Sequence, residues 1–181
     1  MTRVSIVTGG ASGIGRATVD ALLVSGGSVV VIDRPSAELN ELTKLDRVLI
    51  VEGDVTDAEV NHAAVSLAHS EFGGLDAMIL NAGVPASGDI VTMPIEIFDR
   101  TIDVNVRGVL LGIRAAVPAL RRRGGGRIVI TASTSGINAD PNMWAYNTAK
   151  AAVINLAKGA ALDLAADAIT VNVVCPGPTE T

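Results

Sequence analysis

Tyr146 and Lys150 stand four residues apart in Tyr-Asn-Thr-Ala-Lys, a phenol and an amine in a run that Ala149, Ala151, Ala152 and Leu156 make helical in pattern. On a helix the i,i+4 spacing places both side chains on one face. A free phenol ionises near pH ~10, too high for acid–base work at neutral pH. An ammonium ~5 Å away, at an effective dielectric of ~20, favours the phenolate by about 3 kcal/mol, or about two pKa units. That shift brings a tyrosine towards the range of a useful proton donor and acceptor. Taken alone, the pair reads equally as a surface Tyr and Lys on an ordinary helix. Ser133, 13 residues earlier in Ile130-Thr-Ala-Ser-Thr-Ser-Gly136, adds a hydroxyl. Beside the phenol it can hold a substrate oxygen in line for proton transfer; its other reading is a loop satisfied by three hydroxyl residues.

Elements able to position these groups alternate along the whole chain. β-rich runs fall at Val4–Val7, Ser28–Ile32, Arg47–Val51, Asp76–Leu80, Arg127–Thr131 and Ala168–Val174. Helical patterns lie between them at Gly15–Leu23, Ala37–Lys44, Ala58–Phe72, Pro94–Arg122 and Trp144–Leu164. Strands alternating with helices predict a doubly wound parallel sheet of the three-layer α/β class. Neither a repeat nor a linker interrupts the pattern, so residues 1–181 read as one domain. Ligands of such sheets bind beyond the carboxyl ends of the strands.

The polar motifs fall at those ends. Thr8-Gly-Gly-Ala-Ser-Gly-Ile-Gly15 follows the first strand and enters a helix. Its glycines at 9, 13 and 15 permit a tight turn and a close approach to a pyrophosphate, which meets the free N–H groups of the helix. The spacing differs from GxGxxG, and a glycine cluster by itself is often only a turn. The second strand ends in Asp33, an acid about 20 residues on, placed to accept from a ribose diol and to repel a 2′-phosphate. This favours NAD, whereas Arg34 beside it can cap a phosphate or stack on adenine and so favours NADP. Asp54, after the third strand, reads either as an acceptor for the adenine amino group or as a turn or helix N-cap residue. Asn81-Ala82-Gly83 follows the fourth strand, small enough for backbone to pass the adenosine ribose, and reads otherwise as a turn. Asn105, beside Gly108 in mid-helix, is locally unfavourable, a kind of inconsistency that marks function or close packing. Pro176-Gly177, after the sixth strand, forms a rigid turn that bears on the nicotinamide end of a cofactor.

Composition narrows the partners. Lys and Arg total 14 against 19 Asp and Glu, a net charge of -5 that argues against nucleic acid and anionic membrane. The one basic run, Arg121-Arg122-Arg123, precedes three glycines and reads as helix C-terminal charge. Cys175 is the single cysteine, which excludes an internal disulfide. No apolar stretch reaches membrane-spanning length, and the N-terminal one is too short for a signal segment, so the chain is expected to be soluble and cytoplasmic. No metal site is expected.

Together, Thr8-Gly-Gly-Ala-Ser-Gly-Ile-Gly15, Asp54, Asn81-Ala-Gly83, Asn105, Ser133, Tyr146-x-x-x-Lys150 and Pro176-Gly177 resemble the short-chain dehydrogenase/reductase family over essentially the whole length. The resemblance implies a Rossmann fold and hydride transfer between a nicotinamide cofactor and a secondary alcohol or ketone. It implies Tyr146 as the acid/base, Lys150 as the group that lowers its pKa and holds the nicotinamide ribose, Ser133 as the orienter of the substrate oxygen, and Asn105 as the support of a water leading from Lys150 to solvent. It implies cofactor contacts at Gly9, Ser12, Gly13, Ile14, Asp33, Arg34, Asp54, Val55, Asn81, Ala82, Gly83, Pro176, Gly177 and Thr179, with Thr181 on the nicotinamide carboxamide. NAD is expected ahead of NADP, the alternatives being an NADP-dependent carbonyl reductase or a catalytically silent dinucleotide-binding module. The second of these follows from the chain's end at Thr181, where family members continue with a substrate-binding segment, a strand and a helix. Ser87, Ile137, Met143 and Trp144 are candidates for the substrate side. Self-association as a dimer or tetramer is expected, with faces around Val109, Leu110, Ile113 and Val117 and near 154–162.

Overall fold

The computed structural model describes residues 3–179, so the expectation for Thr181 lies outside the described residues. Six parallel strands, β1 (Val4–Thr8), β2 (Ser28–Asp33), β3 (Val48–Glu52), β4 (Ala77–Leu80), β5 (Gly126–Thr131) and β6 (Ile169–Val174), form one sheet in the order β3-β2-β1-β4-β5-β6. The chain winds outwards from β1 in one direction and from β4 in the other, which places the switch point between those two strands. At that switch point a doubly wound sheet opens a crevice.

Helices α1 (Gly13–Val24) and α2 (Ala37–Leu42) contribute with Val7, Val29 and Val31 to the core on one face. Helices α3 (Ala58–Phe72), α5 (Gly108–Arg123) and α6 (Trp144–Leu164) cover the other, over Ile6, Met78, Ile128 and Ile130. All five residues of β1 are buried because helices lie on both sides of it. On β6, by contrast, Thr170, Asn172 and Val174 are exposed while Ile169 and Val171 are buried. This alternation marks a strand covered on one face only.

The expected single helix over 94–122 is three elements. Helix α4 (Ile95–Ile102) runs into a π turn (Asp103–Arg107), and α5 follows. Asn105 lies buried in this π turn, a feature frequent at functional sites, and bonds outside the helix to the amide and carbonyl of Val84. The basic run closes α5 as its charge suggests. Arg121 pairs with Asp167 at 2.7 Å and Arg123 with Asp76 at 2.9 Å, and Gly124 caps the helix at φ 82°. Among the described residues no helix is long and apolar enough to cross a membrane.

Candidate active site

One cleft of about 500 Å³ opens at the carboxyl ends of the strands. Its inner end is built by the turn after β1. Gly9 sits at φ 65°, and α1 starts at Gly13, two residues before the sequence pattern suggests. The first amide bonded back along the helix is that of Arg16, to Ser12 at 3.0 Å, so the amides before it remain unspent by the helix. Ser12 holds the N-cap position without using its hydroxyl as a cap. A Cβ on Gly15 would collide with the Gly9 carbonyl oxygen, so only glycine lets the helix start this close to the turn. Gly9, Ser12, Gly13 and Ile14 all line the cleft, which thereby offers a helix N-terminus, a free hydroxyl and room for a diphosphate.

Thr8, which opens the glycine motif, fastens this turn to the neighbouring strand. Its hydroxyl accepts from the amides of Asn81 at 2.9 Å and Ala82 at 3.0 Å. The Asn81 amide nitrogen reaches back to the carbonyls of Thr8 and Gly9, both at 3.2 Å. The Asn81 side chain therefore braces the glycine turn, while Asn81, Ala82 and Gly83 line the cleft. Asp33, at the end of β2, is pinned by backbone amides: Ala11 donates to Oδ2 at 2.9 Å and Arg34 to Oδ1 at 2.8 Å. Arg34 is exposed and makes no ion pair among the described residues.

The Asp54 side chain makes the contacts of a turn residue at the edge of the cleft. Oδ1 accepts from the Thr56 amide at 2.9 Å and hydroxyl at 2.8 Å, and Oδ2 meets the Arg100 guanidinium at 2.7 Å. Burial alone would raise this carboxyl, yet the Thr56 bonds and Arg100 hold it at about 2. The N-cap of α3 is Asp57, whose side chain accepts from the Glu59 amide at 2.9 Å. Asp54, Val55 and Arg100 nevertheless border the cleft, and Arg100 carried no sequence signal because it arrives from α4.

Ser133, Tyr146 and Lys150 converge at the other end. Lys150 is buried, and its Nζ donates to the Thr131 carbonyl at 2.8 Å while lying 5.5 Å from the Tyr146 ring centre. Burial lowers the amine to about 8, against a smaller opposing influence of Cys175. Burial also raises the Tyr146 phenol, with the Ser133 hydroxyl pulling it down. The direction is opposite to the one that Coulomb attraction alone suggests, because a half-buried phenol loses hydration that the sequence cannot reveal. The turn Thr134–Gly136 after β5 is pressed against α6. A Cβ on Gly136 would lie 2.6 Å from the Lys150 carbonyl carbon, so this glycine sets how near Ser133 stands to Tyr146.

Asn105 lies next to this end but commits its side chain to the loop after β4. Its Oδ1 accepts from the Val84 amide at 2.8 Å and its Nδ2 donates to the Val84 carbonyl at 2.9 Å. Pro176, Gly177 and Thr179 line the cleft after β6, with the Thr179 hydroxyl bonded to the Gly177 carbonyl at 3.0 Å. None of the substrate-side candidates lines the cleft: Ser87 and Ile137 face solvent, and Met143 stands at the start of α6. Trp144 stacks on Phe98 of α4, ring centres 5.4 Å apart and planes at 14°, and so serves helix packing.

The family model for short chain dehydrogenase matches residues 3–181. The chain is 40% identical over 190 residues to a 2-(R)-hydroxypropyl-CoM dehydrogenase of Xanthobacter autotrophicus, covering 100% of this chain and 76% of that protein. Its fold is similar to that of a 3-ketoacyl-(acyl-carrier-protein) reductase from Brucella melitensis complexed with NADH, at a TM-score of 0.92 and 32% identity, covering 97% of this chain and 75% of that one. An L-sorbose reductase from Gluconobacter frateurii complexed with NADPH and L-sorbose matches at 0.92 and 32%, covering 97% and 69%.

Proposed function

This chain belongs to the short-chain dehydrogenase family, and we propose that its cleft serves hydride transfer between NAD and a secondary alcohol or its ketone, with Tyr146 as acid and base. The chain is an oxidoreductase of CH–OH groups that uses a nicotinamide dinucleotide. The observation that carries the finer reading is the convergence of Ser133, Tyr146 and Lys150 at one end of a cleft whose other end is an unspent helix N-terminus.

The nicotinamide, when bound, supplies or accepts the hydride. The protein's residues bind, orient and move the proton. The amides of Gly13 to Gly15 and the Ser12 hydroxyl would hold the diphosphate, and Asp33 the adenosine ribose. Lys150 keeps N–H donors beyond its bond to Thr131 for the other ribose, and its positive charge favours the phenolate once substrate approaches. In alcohol oxidation the Tyr146 oxygen takes the hydroxyl proton, and in ketone reduction it returns one. Ser133 holds the substrate oxygen, and Asn105 supports this end by fixing Val84. Tyr146→Phe keeps the ring packing and removes the proton, so turnover with NAD and a panel of secondary alcohols is expected to fall by about 10³ or more while NAD affinity is unchanged. Wild-type rates in that variant would reject the assignment.

NAD is favoured over NADP because the Asp33 carboxylate is fixed by two backbone amides at the cleft wall, where it opposes a 2′-phosphate, although Arg34 lines the same cleft. Asp33→Ala is expected to reduce the ratio of kcat/KM for NAD over NADP by about tenfold or more. A wild-type enzyme that prefers NADP overturns this choice.

A further inference from the structure

Asn61 is a fully buried amide in the first turns of α3, beside Gly112 of α5. Its Nδ2 donates to the Val55 carbonyl at 3.0 Å and to the Asp57 carbonyl at 2.8 Å, which spends both protons of the amide. Its Oδ1 has no partner among the described residues. A buried acceptor without a partner costs stability, and an apolar side chain at this position would avoid that cost. A residue kept against a local rule marks function or close packing. The two carbonyls bracket the stretch that leads from β3 into α3. Gly53, Asp54 and Val55 line the cleft, and the Gly53 amide donates to the Asp33 carbonyl at 2.9 Å, so this stretch stands beside the acid that ends β2. In a trans peptide the C=O and the next N–H point in opposite directions. With the Val55 carbonyl turned inwards to Asn61, the Thr56 amide is turned outwards, onto Asp54 Oδ1 at 2.9 Å. The Val55 side chain is engaged on the inner side too, where a Cβ on Gly108 would lie 2.9 Å from its Cγ2.

We propose that Asn61 is a positioning residue for the cofactor: it sets the Val55–Thr56 peptide and with it the part of the cleft wall against which the adenine of the dinucleotide packs. The proposal rests on the reading of the Asp33 end of the cleft as the adenosine site. Asn61 does not itself line the cleft, so it acts only through the backbone that it holds. Without the bond to Val55 this peptide is free to turn over, and the wall stands in its binding form for only a fraction of the time. Cofactor affinity falls by that fraction, whereas a molecule with the cofactor bound has the wall in place and reacts at the full rate.

Asn61→Thr separates this role from that of a helix cap. A threonine hydroxyl on a helix donates to the carbonyl four residues back, as Thr18, Thr101 and Thr148 of this chain each do at 2.7 Å. In N61T that carbonyl is the one of Asp57, so the bond within the helix is kept and the bond to Val55 is lost. The methyl group takes the place of the unpartnered oxygen. N61T is expected to weaken NAD and ADP-ribose, measured by calorimetry, by the same factor of about ten, and to leave kcat at saturating NAD within about twofold. ADP-ribose lacks the nicotinamide ring, so equal losses place the effect away from the reacting end. Asn61→Ser makes the same exchange in a smaller side chain and decides the matter where N61T does not fold. Wild-type affinity for both ligands in the variant overturns the proposal, as does a kcat that falls together with affinity, the mark of a general loosening. A wild-type chain that binds neither NAD nor ADP-ribose instead removes the adenosine site, and the proposal with it. The binding measurements need no turnover, so they hold whatever the part of Tyr146.

Discussion

Burying the Lys150 ammonium costs free energy that the folded chain avoids once the amine is neutral. The amine loses its proton at about 8 when folded and at 10.5 when exposed. Between those values the unfolded chain binds a proton that the folded chain does not, so stability rises with pH. Tyr146 is raised by burial and acts in the opposite sense above its ordinary value of 10.0, which closes the window there. Denaturation midpoints taken from about pH 8 to about pH 10 are expected to report a gain of about 2 kcal/mol, and Lys150→Met to flatten it. Equal slopes in the two proteins would place the titration on another group. The i,i+4 spacing of Tyr146 and Lys150 was legible because it is local, whereas the burial of both is a property of the packed site.

Three elements set the distances at the reacting end: α6 with Tyr146 and Lys150, the turn with Ser133, and the π turn with Asn105. Gly136 is where the first two touch, backbone against backbone. Gly136→Ala is therefore expected to lower kcat by about tenfold, leave NAD affinity measured by calorimetry unchanged, and destabilise by about 1–3 kcal/mol. Unchanged kcat would show that the turn shifts without cost. The bounds of α3 were legible in the sequence because its pattern starts after the Asp57 cap and ends at Gly73. The break at Asn105 was legible only as an inconsistency, since the partner of its side chain is Val84, 21 residues away.

At the scale of the whole molecule, α5 turns Val109, Ile113 and Val117 into its own core, so this part of the expected association face is already covered. Leu110 on α5 remains 39% exposed, Ile95 on α4 59% and Leu162 on α6 81%. Self-association, proposed from the resemblance, has to use side chains such as these. Leu110→Glu is expected to shift the mass measured by sedimentation towards the single chain, and an unchanged mass removes α5 from the interface.

Sequence by itself determined the alternation of strands and helices, the glycine turn, the acid after β2 and the Tyr–Lys pair, because each depends on neighbours within a few residues. Tertiary structure decided the rest. It turned Asp54 to Thr56 and Arg100, Trp144 to Phe98 and Asn81 to the glycine turn, and it gave Thr8 and Gly136 their parts in building the site. A polar side chain commits to the partner that folding brings within reach, and those partners lie on strands and helices that meet only when the sheet is wound.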